Sequence, residues 1–380
     1  MGKIIGYHVL PNEKLQEIFY LLMNINKENS PDMRINILFI MGSIAVTCNN
    51  IDIKKSTEFS RQCIESATHC DASVRTNALF ALTYLVDKEL IQKDKTKVIS
   101  EIFLTGVQES DINNKKNSLH GIIALIRKNQ LSLKVTEKVV NLLMESAQGE
   151  DRMIGNAALT AIIELINQRN LKTSVLNNVF NLLMSLSKSE DAHIRQKVYF
   201  GIVELLEKNT LVLEDKNDIF NLLLTGLSDI NPNIVETALF GVYILISRND
   251  LSLTMSNDTL NLLVKISDNS EIGIKSLWII CHLVSKGVIP LNRLEDTKKF
   301  LEKKAKSLFD SQEHYSEQQI LEKTSTQAII FGTLKILEKT LEAIINSRTS
   351  NPINLASHSI FNTSHSLNRA HQTASPCSFI

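Results

Sequence analysis

One internal register decides what this chain can fold into. Shifted against itself by 40 residues, the sequence matches itself over five units. Asn141-Leu142-Leu143, Asn181-Leu182-Leu183, Asn221-Leu222-Leu223 and Asn261-Leu262-Leu263 share one column, with Glu101-Ile102-Phe103 as a degenerate member. Asp71, Asp111, Asp151, Asp191 and Asn231 form a second column, and Leu85, Leu125, Leu165, Leu205 and Leu245 a third. Chance does not hold three columns in register. A fixed period of this length marks a stack of small units, each burying its apolar face against its neighbours.

Each unit reads as two helices. The first carries the Asn-Leu-Leu column, and Val139, Leu142, Leu143 and Ser146 have i, i+3, i+4, i+7 spacing. The second begins at the Asp/Asn column, where a short side-chain oxygen accepts the orphan N–H groups of a helix start. Asn231-Pro232 adds proline at a first helical position. The second helices end at Lys128-Asn129, Lys208-Asn209, Arg248-Asn249 and Lys286-Gly287. Asn and Gly tolerate the left-handed backbone there, and a cation suits the helix dipole.

At 100° per residue, Val74, Ala78, Leu79, Leu82, Leu85 and Val86 fall in one arc that meets the first-helix layer. Ala81, Gly121, Ala161, Gly201 and Gly241 line its edge. This small-residue column is expected to be a stacking contact between repeats.

Asp71-Ala72-Ser73-Val74-Arg75 and Asp191-Ala192-His193-Ile194-Arg195 resemble the second-helix signature of HEAT repeats. The resemblance covers roughly residues 31–290, about seven units. It implies an all-α, right-handed α-solenoid of HEAT-like helical pairs. It also implies a ladder in which the Asp of one repeat meets the Arg of a neighbour. Asp111 with Lys115 keeps that pairing, and Gly155, Val235 and Gly273 break it. Armadillo repeats are of similar length but need a third short helix, for which there is no room.

The ends depart from the pattern, as capping repeats do. Residues 1–30 read as an N-terminal cap, and Pro31 to Asn49 fits the first unit loosely. The seventh second helix fits with a linker two residues shorter, which puts Ser276, Leu277, Leu283 and Val284 in core columns. Past Pro290 the period fails. Leu294, Leu301, Ala305 and Leu308 suggest one amphipathic helix. Ser316 to Ser347 suggests a longer one, with Phe331, Leu334, Leu337, Leu341 and Ile344 as its stripe. Segment 291–347 is then a helical cap or, alternatively, a coiled-coil dimer seam. Residues 348–380 hold Ser, Thr, Asn and His with no acid, and read as a disordered tail.

Chemistry is hard to find. Lys+Arg and Asp+Glu are both 41, so the zero net charge offers no bulk attraction to nucleic acid or anionic membrane. Five Cys without a paired framework suit a reducing, cytoplasmic setting. The longest apolar run, Ile35 to Cys48, is shorter than the ~20 residues of a membrane span. There is no Gly-rich phosphate loop, no G-x-S-x-G and no H-E-x-x-H. HEAT-like iron hydroxylases use His-Glu dipeptides, and none occurs here. HEAT-like DNA glycosylases use a basic concave face, which the neutral balance disfavours. Cys63, His69 and Cys70 lack the second pair of a zinc site. No enzyme activity, cofactor or metal is expected.

The face opposite the core arc is more informative. One column there holds Phe80, His120, Thr160, Phe200, Phe240 and, with the shorter linker, Trp278; Tyr84 lies on the same face. Glu164, Glu204, Glu236, Lys116 and Lys197 give it a mixed-sign rim. In a HEAT-type stack this face is concave, and rings in a groove bury large area at low entropic cost. Phe80, Tyr84, Phe200, Phe240 and Trp278 are therefore the candidate partner-binding residues. The other reading is that they pack on one another or under the C-terminal helices.

Cys377-Ser378-Phe379-Ile380 resembles a C-a-a-X box, although Ser378 is not aliphatic and no polybasic run precedes it. Cys377 is the candidate lipidation site, and membrane contact is expected only through it. The sequence thus points to a non-enzymatic scaffold or adaptor that binds protein along its concave face. The alternatives are a HEAT-like enzyme or nucleic-acid binder of the glycosylase type, and a secreted bacterial effector translocated into a host cell.

Overall fold

The computed structural model describes residues 11–25, 30–47, 53–131, 133–168, 171–208, 216–269, 272–310 and 317–350. Among these residues there are sixteen α-helices and no strand. They come in eight consecutive pairs. These are α1 (Asn12–Ile25) with α2 (Pro31–Thr47), α3 (Ile53–Ser66) with α4 (Ala72–Asp87), α5 (Thr96–Gln108) with α6 (Ile112–Arg127), and α7 (Leu133–Ala147) with α8 (Arg152–Gln168). Then follow α9 (Thr173–Leu186) with α10 (Ala192–Glu207), α11 (Lys216–Gly226) with α12 (Pro232–Ser247), α13 (Leu253–Ile266) with α14 (Gly273–Ser285), and α15 (Leu294–Asp310) with α16 (Glu317–Ser350). The chain divides into two compact units, Met1–Leu211 and Val212–Ile380. The first contains α1 to α10 and the second α11 to α16.

The helix boundaries follow from local chemistry. Asp71 Oδ1 accepts the backbone N–H groups of Ser73 and Val74, at 2.7 and 3.2 Å. Asp111, Asp151, Asp191 and Asn231 cap α6, α8, α10 and α12 in the same way. At the other ends Asn129, Asn249 and Gly287 take the left-handed backbone, and so does Glu89. The chain then turns back to hydrogen-bond the carbonyls of Leu85, Leu125, Leu245 and Leu283. Leu85, Leu125 and Leu245 of the leucine column therefore serve twice: their side chains are fully buried or nearly so, and their carbonyls close the turns.

Within each unit, first helices pack on their own second helices, and second helices pack on the second helices of adjacent pairs. First helices of adjacent pairs touch far less. Close packing on one side and splay on the other curve each unit, with the even-numbered helices on the inside.

The structure refines several expectations. The small-residue column meets the neighbouring pair, with Ala81 Cα 3.3 Å from a Cβ position on Gly42, but it also serves packing within a repeat. A Cβ on Gly121 would lie 2.3 Å from the ring of Phe103, and one on Gly241 would lie 2.6 Å from Leu223. Gly201 meets Leu183 at 2.9 Å. Each neighbour is on the first helix of the same pair, so these glycines set the closeness of the two helices within a repeat. Past Pro290 the two expected helices pair, and α16 packs on both α15 and α14. Lys298 pairs with Glu338 between α15 and α16, and α1 supplies the first helix of the pair that α2 completes. Finally, the buried side of α16 is Thr326, Ile330, Thr333, Leu334 and Leu337, while Phe331 is exposed. The threonines face α14, which rotates the contact face away from the expected stripe. Among the described residues α16 runs on to Ser350, past the point where the tail reading begins.

Candidate partner-binding face

The inner face of the first unit is held by polar ties between even helices. Asn77 Nδ2 donates to Ile35 O at 3.2 Å, joining α4 to α2. Asn117 Nδ2 donates to Thr76 O at 2.9 Å, and Thr83 Oγ1 donates back to Asn117 O at 3.2 Å, joining α6 to α4. Asn114 occupies the column of Val74, Ile154, Ile194 and Ile234 and is wholly buried. It is satisfied on both sides: Thr76 Oγ1 lies 2.6 Å from its Oδ1, and its Nδ2 donates to Glu109 at 2.6 Å. Glu109 in turn accepts a forked pair from Arg75. The Glu109 hydrogen bond holds the Arg75 guanidinium further above its ordinary pKa.

That geometry corrects the expected ladder. Arg75 bonds to Glu109, two residues before Asp111, while the Asp111 carboxylate caps α6. An Asp-to-Arg rung does exist elsewhere, between Arg152 of the fourth pair and Asp191 of the fifth.

On this inner face the aromatic candidates are half-buried, and the structure groups them unevenly. Phe80 stacks on Phe39 with centroids 5.9 Å apart and meets Tyr84 edge-on at 4.8 Å. Gly42 lets the Phe80 ring approach α2, since a Cβ there would sit 3.1 Å from it. Phe39 remains 44% exposed. Next along the column His120 is exposed and Thr160 half-buried, so the aromatic row is interrupted before Phe200 on α10. Arg127 pairs with Glu164 at 2.7 Å, which removes Glu164 from the free rim. Burial pushes the Glu204 carboxyl above the usual carboxylate range, against the opposing hydrogen bond from Asn167.

In the second unit, Phe240 stacks on Tyr243 at 6.3 Å, and Tyr243 lies 4.9 Å from the His282 ring. His282 Nε2 lies 3.1 Å from Ser247 Oγ. Trp278 is tied down, its Nε1–H donating to Thr326 Oγ1 of α16 at 2.7 Å. For Trp278 the packing alternative is therefore the observed arrangement. Glu236 is paired with Lys275. Phe200 and Phe240 belong to different units, and each is described within its own.

Sequence reasoning passed over Phe39, Tyr243 and His282. Phe39 lies one residue out of register with Phe80, in the unit that fits the period worst. Tyr243 and His282 lie three and four residues after Phe240 and Trp278, so helical spacing from the named column could have found them. Cys70 Sγ lies 3.8 Å from His69 Nδ1, but Cys63 does not join them. Cys63 is buried and its thiol pushed up by that burial, Cys70 is exposed, and His69 Nδ1 accepts the Asp71 N–H at 3.1 Å. Cys377 lies outside the described residues. Among the described residues, no helix is long and apolar enough to cross a membrane.

No protein-family model matches this chain, and no curated protein sequence does. Solved structures do. A chain from the structure of Kap95p with RanGDP aligns at TM-score 0.66 and 12% identity, over 88% of this chain and 44% of that one. Importin beta aligns at TM-score 0.56 and 11% identity, over 89% and 50%. An engineered protein aligns at TM-score 0.57 and 13% identity, over 86% and 81%. This chain thus spans half or less of the Kap95p-complex and importin beta chains. Eight helical pairs, their repeated caps and these likenesses establish the fold: the chain is an α-solenoid of the ARM/HEAT type.

Proposed function

We propose that the protein is a non-enzymatic scaffold that holds a segment of a partner protein along the even-helix face of its first unit. The observation that carries this reading is the Phe39–Phe80–Tyr84 cluster, with rings in mutual contact and Phe39 substantially open to solvent. Rigid rings immobilised before binding offer a partner large apolar area at little entropic cost. Glu204 lies further along the same face, where it supplies a polar contact at its rim. The likeness to Kap95p, whose structure with RanGDP shows a solenoid engaging another protein, supports the same use.

The buried, unpaired thiols of Cys63 and Cys281 suit a reducing compartment, which favours a cytoplasmic setting. Membrane attachment enters this reading only through lipidation of Cys377, which the intact mass of protein purified from its own cells would reveal.

The test is a Phe39→Ala/Tyr84→Ala variant, assayed by quantitative co-purification and by thermal melting. Truncating an anchoring ring costs ~2 kcal/mol in affinity, about thirtyfold. Proteins that bind this face should drop out of the eluate while the melting curve stays nearly unchanged. A folded variant with an unchanged set of partners would place binding elsewhere.

A further inference from the structure

Arg75 shows how one position on a second helix is used. Its Nη1 donates to the carbonyls of His69 and Cys70 in its own turn, at 2.8 and 2.9 Å. Its other nitrogens reach Glu109 in the turn of the next pair. Arg195 repeats the first half of this pattern on the carbonyls of Ser189 and Glu190, at 2.9 and 3.0 Å. In the 40-residue register, Gly155 occupies the same position in the fourth pair.

Elsewhere in the register Lys115 of the third pair keeps a cation at this position, while Val235 and Gly273 close the space. Val235 is itself buried there. At Gly273 a Cβ would lie 2.6 Å from Ser267 O, leaving no room for a side chain. Gly155 differs. A Cβ there would make ordinary contacts, 3.4 Å to Ala147 O and 3.7 Å to Ile194 Cδ1. Beside it opens a cavity lined by Gly149, Glu150, Asp151, Ser189, Glu190 and Asp191. Gly149 and Glu150 hold the turn positions whose carbonyls receive arginine in the second and fifth pairs. Among the described residues, no group of the chain donates to those two carbonyls.

The charges around the cavity suit a cation. Glu150, Asp151, Glu190 and Asp191 line it, against one cation, Arg152. Arg152 is turned to Asp191, and Asp151 is occupied in capping α8. The Glu150 and Glu190 carboxylates have no cationic partner among the described residues.

The geometry points to this notch as a receptor for an arginine side chain of a partner protein, whose guanidinium takes the place that Arg75 and Arg195 fill from within. A planar fork of donors matches two adjacent carbonyls with a carboxylate beside them, and a lysine ammonium does not. The notch lies at the helix turns, away from the Phe39 cluster, so its fate is independent of the even-helix face.

The test titrates the deuterated full-length protein with a capped Gly-Arg-Gly peptide, followed by backbone amide NMR. Saturable shifts are expected at Gly149, Glu150, Gly155 and Ser189. The lysine analogue should bind about tenfold more weakly, and the citrulline analogue should produce no shifts. Gly155→Arg should abolish binding by filling the notch from within, while Gly155→Ala should keep it. Thermal melting should show both variants folded, with Gly155→Arg no less stable than Gly155→Ala. Equal binding of the arginine and lysine peptides would overturn the proposal, since it would indicate attraction to diffuse acidity only. Undiminished binding to folded Gly155→Arg, or no shifts with the arginine peptide, would also overturn it. If Gly155→Arg fails to fold, the space beside Gly155 is not a guanidinium site and the proposal falls with it.

Discussion

Gly121 gives the sharpest test of how the repeats are packed. It lies inside α6, where alanine would ordinarily be favoured over glycine by about 0.8–1 kcal/mol. The structure reverses that preference. A methyl group at Gly121 would lie 2.3 to 2.5 Å from three ring carbons of Phe103, and Phe103 is fully buried. Overpacking a core contact of this kind costs roughly 1–3 kcal/mol, so Gly121→Ala should be neutral to destabilising despite its better helix propensity. Gly332, in α16, has nothing within 4 Å of its Cβ position, so Gly332→Ala should stabilise by about 0.5–1 kcal/mol. Phe103→Leu removes the ring edge that opposes Gly121. In that background Gly121→Ala should become favourable. Urea unfolding of the two single variants and the double variant should therefore give a coupling energy of about 1–3 kcal/mol. A coupling near zero would refute the argument, because the glycine would not then be opposed by that ring.

Leu165 is fully buried mid-array, so Leu165→Ala should cost about 2–5 kcal/mol by chemical denaturation, while Met153→Ala, 59% exposed, should cost little. Asp151→Ala should lose about 0.5–2 kcal/mol and speed amide exchange at residues 152–155, where its carboxylate now caps α8. Burial raises the folded-state pKa of Glu204, so the fold favours the protonated carboxyl, and that stability is lost as pH rises through the raised value. Glu204→Gln should therefore be more stable than the parent at neutral pH, with the advantage disappearing in acid; a deficit at neutral pH would contradict this.

Features set by short-range chemistry were legible in the sequence. The Asp column predicts helix starts because capping needs only a side chain and two nearby N–H groups, and the Leu column predicts burial because its period matches one helical face. Features set between elements were not. Gly121 lies at the edge of the core arc, where the sequence does not say whether its crowding neighbour belongs to the same pair or the next. Asp111 could pair with Arg75 or cap its own helix; it caps α6, and Arg75 reaches Glu109. Asn114 breaks an apolar column and is tolerated only because Thr76 and Glu109, close in space, satisfy it. Of the candidate site, Phe80 and Tyr84 do meet. Cover over Trp278 by the C-terminal helices is one of two readings, and the sequence does not single out Thr326, which lies in a segment where the period has stopped guiding the alignment.

Partner binding on the even-helix face is tested most directly by site-specific photocrosslinking in the cells that make the protein. A crosslinking side chain is placed at Phe39 or Tyr84 on the even helices, and at Leu21 or Val98, which are exposed on first helices. The even-helix positions should capture the same protein, and the first-helix positions should not. Equal capture from both sets, or capture only from Leu21 and Val98, would contradict it.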